Sequence, residues 1–140
     1  MIIKQNNNEI YEKFVYDNLK ANNREKCRWF GEHFPLVTEK VNFIVFDGSE
    51  LVGGAVGFVE HNWYFLDLLW LSEACRGKNI GTNIIKTIEK FAKEKMLTGV
   101  RMETWDFQAR GFYEKLGYSV YGKIDDCPPG ATNYYLLKRL

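Results

Sequence analysis

A run of almost unbroken apolar residues, WYFLDLLWL at 63–71, is followed closely by the basic, glycine-bearing stretch CRGKNIGT at 75–82 and then by residues with helical spacing. An apolar run of that length reads as a central strand covered on both faces. A strand that enters a glycine turn and then a helix brings turn amides and a helix N-terminus to one point, and such a point attracts anions. Arg76 and Lys78 add positive charge there, while Gly77 and Gly81 let ligand oxygens approach the backbone. Thr82 is a candidate helix cap or hydroxyl donor. The same pattern also suits a plain strand-to-helix connection with two solvated cations. A Walker-type loop does not fit, because Gly81 is followed by Thr82 without the lysine of a Gly-Lys-Ser/Thr ending.

The rest of the chain supplies neighbours for that strand. Residues 2–4 suit a short first strand. Asn8 stands at an N-cap position before Tyr11, Phe14, Val15 and Leu19, which share one helical face. In REKCRWFGEHFP, Cys27, Phe30 and Phe34 recur at helical steps while Gly31 and Pro35 interrupt them, which predicts a short helix and a loop. VNFIVF and LVGGAVGFVE flank an Asp-Gly turn and read as a hairpin, with Gly53, Gly54 and Gly57 marking a bulge or a close backbone approach. From Thr82 onward Ile84, Ile85, Ile88, Phe91 and Ala92 line one helical face. VRMETW reads as a strand, QARGFYEKL as a helix closed by Gly117, and YSVYGKI and TNYYLLKRL as strands about the loop DDCPPG. The fold class is α/β, a mixed sheet flanked by helices.

With 140 residues, of which 46% are hydrophobic and 16% aromatic, the chain is long enough for one cored domain, residues 1–140, and too short for two typical ones. Lysine and arginine number 19 against 18 acids, so no general basic surface for nucleic acid or membrane is expected and any anion site is local. Cys27, Cys75 and Cys127 are odd in number and form no CxxC pair, which suits free thiols in a reducing compartment. With His33 and His61 they show no zinc spacing, so no metal is expected. The N-terminus lacks a secretory pattern and no apolar run would span a bilayer, which points to a soluble, cytoplasmic protein.

RGKNIG at 76–81 resembles the Arg/Gln-x-x-Gly-x-Gly/Ala signature of the GNAT superfamily, the Gcn5-related N-acetyltransferases, with Asn79 in place of the first glycine. DFQARGFYEKLGY at 106–118 resembles the family's later motif at Asp106, Ala109, Phe112, Tyr113, Gly117 and Tyr118, with Asp106 in place of the usual asparagine. The resemblance implies the GNAT fold, a central, mostly antiparallel sheet flanked by helices, and acetyl-CoA as cofactor. It implies that main-chain amides near Leu69, Trp70 and Leu71 hold the pantetheine arm. The turn Arg76, Gly77, Lys78, Asn79, Ile80, Gly81 and Thr82 would grip the pyrophosphate, with Asp106, Ala109 and Phe112 completing the cofactor site.

In such a family a primary amine attacks the thioester directly, which asks for a neutral amine, an aligned carbonyl, and a proton for the departing thiolate. Tyr113 aligns with the family's general acid; its other reading is a core aromatic. Glu103 and Asp67 are the candidate bases, and a carboxylate buried in an apolar strand, as Asp67 reads, would need a partner. A structural hydrogen bond is the other reading for both. Trp29, Phe30, His33 and Trp105 are candidates for an aromatic wall around a small-molecule or peptide amine, and would equally serve as core. Tyr134 and Tyr135 suit a core or a homodimer interface. Two rival readings stay open: a CoA-binding module without catalysis, and a nucleotide-binding protein using the same turn.

Overall fold

The computed structural model describes residues 1–140 and comprises two compact units, Met1–Val37 and Thr38–Leu140. In the first, helix α1 (Glu9–Lys26) starts where Asn8 implies, with the Asn8 side chain accepting the Ile10 N–H at 2.9 Å. Glu9 and Glu12 sit in its first turn and Arg24 and Lys26 in its last, each matched to the sign of the helix dipole at that end. Cys27 is extended and separates α1 from the short α2 (Arg28–Glu32). Residues 2–4, expected as a strand, pair with nothing.

The second unit is organised by two tight turns. Asp47 and Glu50 close a hairpin around Gly48 and Ser49, and Gly48 takes the left-handed conformation, φ 59°, that glycine adopts most readily. Glu60 and Trp63 close the next around His61 and Asn62, at φ 50° and 64°. These turns lay β2 (Phe43–Asp47), β3 (Glu50–Glu60) and β4 (Trp63–Leu71) antiparallel, while β1 (Glu39–Lys40) pairs with the other end of β3. A 3-10 turn at Glu73–Cys75 leads into α3 (Ile80–Glu94), and β5 (Gly99–Trp105) then returns parallel to β4. Helix α4 (Arg110–Lys115), β6 (Ser119–Ile124) and β7 (Asn133–Arg139) complete the chain, with β7 inserted between β5 and β6. The sheet has seven strands and is antiparallel except at β4–β5.

The core forms where the isoleucine face of α3 meets the sheet. Ile84, Ile85, Ile88 and Ala92 pack with Tyr64, Leu66, Val100, Met102 and Leu136, all buried. Gly57 makes room for this: a Cβ there would overlap the Tyr64 hydroxyl, which donates to the Val41 carbonyl at 2.9 Å. The expectation that β4 is covered on both faces is corrected. Leu68 and Trp70 are 60% and 66% exposed, because the strand carries a bulge that reverses its facing partway along. No helix is long and apolar enough to cross a membrane.

Ile88 is fully buried, so Ile88→Ala should lower unfolding free energy by about 2–5 kcal/mol in urea denaturation, through lost transfer energy and the cavity left behind. Lys86→Ala, on the exposed face two residues away, should change it by less than about 0.5 kcal/mol.

Candidate active site

The pairing of β4 with β3 is continuous except at one place. Val56 faces Leu68 and Gly57 faces Leu66, so Asp67 between them has no partner and forms the bulge. Before the bulge, Tyr64 and Leu66 point into the core; after it, Leu69 and Leu71 do, and Leu68 and Trp70 turn outward. The bulge coincides with the end of the parallel pairing, which runs from Trp63 and Gly99 to Leu66 and Met102 and stops. Beyond that point β4 stays on β3 to Leu71 and β5 stays on β7 to Trp105, so the two strands splay apart.

The splay leaves backbone groups without a ladder. The Ser72 N–H donates to the Val52 carbonyl at 2.9 Å, which fixes the alternation along this part of β4. Trp70 and Leu68 therefore bond toward β3, while the N–H and C=O groups of Leu69 and Leu71 face the gap. Of the three positions expected to offer amides, Trp70 thus contributes its side chain and not its N–H.

A cleft of about 350 Å³ fills the gap, lined among others by Asp67, Trp70, Glu103, Trp105, Gln108 and Tyr113. Every lining residue belongs to the second unit. Trp29, Phe30 and His33 belong to the first, where the Trp29 and His33 rings stack with centroids 4.4 Å apart. Asp67 is exposed rather than buried, a correction to its reading within an apolar run: the bulge turns it out of the core. Glu103 also lines the cleft and accepts a hydrogen bond from Asn133 Nδ2 at 3.1 Å. Asn133 is 4% exposed.

Tyr113 reaches the cleft from α4. It is buried, its ring packs edge-on against Phe112 and Tyr118, and its hydroxyl has no hydrogen-bond partner within the chain. Burial pushes its pKa up to about 12, so the phenol holds its proton throughout the neutral range. A protonated phenol facing a cleft can donate a hydrogen bond, or its proton, to negative charge that develops there.

The basic turn lies at the C-terminal end of β4. Gly77 and Asn79 have φ of 71° and 56°, so Asn79 takes the left-handed backbone for which glycine is the usual choice. Helix α3 starts at Ile80, two residues earlier than the periodicity predicts, which puts Thr82 inside the first turn and Asn79 at the cap position without a side-chain cap bond. The first intrahelical bond runs from the Asn83 N–H to the Asn79 carbonyl at 3.0 Å. The N–H groups of Ile80, Gly81 and Thr82 are consequently free to bind an anion. Arg76 makes an exposed pair with Glu73 at 3.3 Å, and Lys78 is exposed. A Cβ on Gly81 would come 3.2 Å from the Phe112 ring, so the helix start and α4 touch at this glycine.

Two features escaped the sequence pattern. Gln108 is held by the Thr104 hydroxyl and the Trp105 N–H, both donating to its Oε1 at 3.1 and 3.0 Å. Asp106 exchanges hydrogen bonds with Thr132, its carboxylate accepting the Thr132 N–H at 3.2 Å, and Trp105 Nε1 donates to the Cys127 carbonyl at 2.6 Å. The loop before β7 is thereby tied to the mouth of the cleft. Ala109 lies just ahead of α4 and lines the cleft. Tyr134 lies half-buried under Arg110, and Tyr135 beside Tyr121.

Residues 4–118 match the acetyltransferase (GNAT) family model. The blasticidin-S acetyltransferase of Streptomyces morookaense is 45% identical over 93 residues, which cover 66% of this chain and 68% of that protein. The crystal structure of an acetyltransferase from Bacillus cereus superposes with a TM-score of 0.81 at 26% identity, covering 99% of this chain and 98% of that one. An N-acetyltransferase of Thermoplasma acidophilum in complex with coenzyme A gives a TM-score of 0.58 at 25% identity over 68% of this chain and 57% of that one. The chain belongs to the GNAT family and is an acetyl-CoA-dependent N-acetyltransferase.

Proposed function

We propose that this enzyme transfers the acetyl group of acetyl-CoA to a primary amine of a small, positively charged molecule, by direct attack with both substrates bound together. The observation that carries the reading is the splay: one cleft holds two carboxylates, a protonated phenol and two tryptophans, at the end of a strand that runs into an anion-binding turn. Asp67 and Glu103 favour a cationic acceptor, and Trp70 and Trp105 offer it aromatic walls. The relative named for blasticidin S supports an antibiotic-like amine as the first acceptor to try. The family match spans both compact units, which supports treating residues 1–140 as one domain.

The residues present fit acetyl-CoA. Free amides at Ile80, Gly81 and Thr82, with Arg76 and Lys78 nearby, suit a pyrophosphate, and a Cβ on Gly81 would crowd the Phe112 ring at 3.2 Å. The groups of Leu69 and Leu71 that face the gap suit the amides of a pantetheine arm. When bound, acetyl-CoA supplies an activated acyl group and a thiolate leaving group. Glu103, oriented by Asn133, takes the ammonium proton, directly or through water, with Asp67 as the second carboxylate able to do so. Tyr113 would supply the proton that the departing thiol needs, and the proton shed by the newly acylated nitrogen would restore the phenol through water.

The test is thiol release from acetyl-CoA with blasticidin S, spermidine, an aminoglycoside, amino acids and a lysine peptide; no release with any amine would leave only a CoA-binding role. Tyr113→Phe should keep acetyl-CoA affinity and slow turnover by about 10²- to 10⁴-fold. With the phenol's pKa raised to about 12, its acid form is lost only above that pH, so wild-type turnover should rise as the amine deprotonates and show no Tyr113-dependent fall below about pH 11. Asn79→Gly, which releases the left-handed backbone at a residue making no cap bond, should bind acetyl-CoA at least as tightly in calorimetry. Asn79→Val should bind more weakly, since a β-branched residue resists positive φ.

A further inference from the structure

A half-buried ion pair lies at the C-terminal end of α4. Lys138 on β7 donates from Nζ to Glu89 Oε1 on α3 and to the Leu116 carbonyl, each at 2.8 Å. The Lys138 and Glu89 side chains are 28% and 12% exposed. The Tyr118 hydroxyl donates to the same Glu89 oxygen at 3.2 Å. One ammonium and one carboxylate thus bring together α3, β7 and the C-cap carbonyl of Leu116 just past α4.

Helix α4 has six residues, too few to hold its own conformation, and its terminal carbonyls have no partner within the helix. An ammonium placed on one of them satisfies it and matches the dipole at that end. Gly117, at φ 92°, lets the chain turn against the Lys138 stem, 3.4 Å from where a Cβ would stand. Tyr118 follows at once. Its ring lies 6.1 Å from that of Tyr113 at an interplanar angle of 70°, and its N–H donates to the Tyr113 carbonyl at 3.2 Å. Tyr118, one of the groups that fix the end of α4, is therefore in direct contact with Tyr113.

A half-buried pair of this kind adds little net stability, because desolvation offsets most of the attraction and apolar residues of similar volume serve as well. What apolar residues would not reproduce is the fixed direction of three hydrogen bonds. We propose that Lys138 is a positioning residue that, through the Leu116 carbonyl and the Glu89–Tyr118 link, sets the Tyr113 hydroxyl in the cleft. The inference rests on Tyr113 as the proton donor.

The test is a double-mutant cycle of Lys138→Met against Tyr113→Phe, read as thiol release with the fastest amine of the panel, together with the ring NMR signals of Tyr113 in the free protein. Lys138→Met should lower kcat about ten- to a hundredfold with KM for acetyl-CoA unchanged, the signature of a displaced catalytic group. In the Tyr113→Phe background the same change should cost less than about twofold. Lys138→Arg should recover most of the rate, and the Tyr113 ring signals should move in Lys138→Met but not in Lys138→Arg. Glu89→Gln, which removes the charge and keeps an acceptor, replaces Lys138→Met if that variant does not fold, with the same expected pattern at smaller size. Equal losses in both backgrounds, or unmoved Tyr113 signals, would overturn the proposal. If Tyr113→Phe alone turns over normally, the proton-donor reading fails instead, and the ring signals still decide whether Lys138 places Tyr113.

Discussion

Between Leu66 and Leu68, β4 carries one residue more than β3 can pair. Side chains on a strand alternate with period two, so a single inserted residue exchanges the two faces of everything that follows. Leu69 and Leu71 replace Leu68 and Trp70 on the core side, and Asp67 is turned out of the ladder. The same insertion falls where β5 leaves β4, so two backbone positions lose their sheet partner without the sheet losing its hold on either strand. Each strand is secured from its other side. That arrangement lets a gap with unpaired amides exist inside a stable sheet.

The other parts of the site are placed by packing against α3. The helix is fixed by its isoleucines, which puts its free N-terminal amides at the end of β4. Gly81 lets Phe112 approach that helix start, and Phe112 lies edge-on to Tyr113. The anion turn and the phenol are consequently joined through one ring contact. A substitution at Gly81 would be felt at both.

Features that depend on local chemistry were legible in the sequence. Asn8 caps α1, Gly48 turns the first hairpin, Asn79 takes a left-handed backbone and Gly117 ends α4. Each is a backbone requirement met by one residue type. The two motif stretches also carried the family. Features set by pairing between distant segments were not legible. The run WYFLDLLWL reads as uniformly apolar, and only its register against β3 shows that Asp67 is the extra residue and that Trp70 is exposed. The insertion of β7 beside β5 brings Asn133 to Glu103, thirty residues away, and no periodicity signals it. Gln108 belongs to a helical motif by pattern, yet its side chain serves the preceding strand.

Amide hydrogen exchange reads directly which amides of β4 are free. In the free protein the Leu69 and Leu71 N–H groups should exchange quickly and that of Trp70 slowly, since Trp70 is bonded toward β3. Saturating acetyl-CoA should slow Leu69 and Leu71 by about tenfold or more and leave Trp70 unchanged. Leu69 and Leu71 amides that are already protected without cofactor, or that gain no protection with it, would contradict the claim that the splay at Asp67 builds the cofactor site.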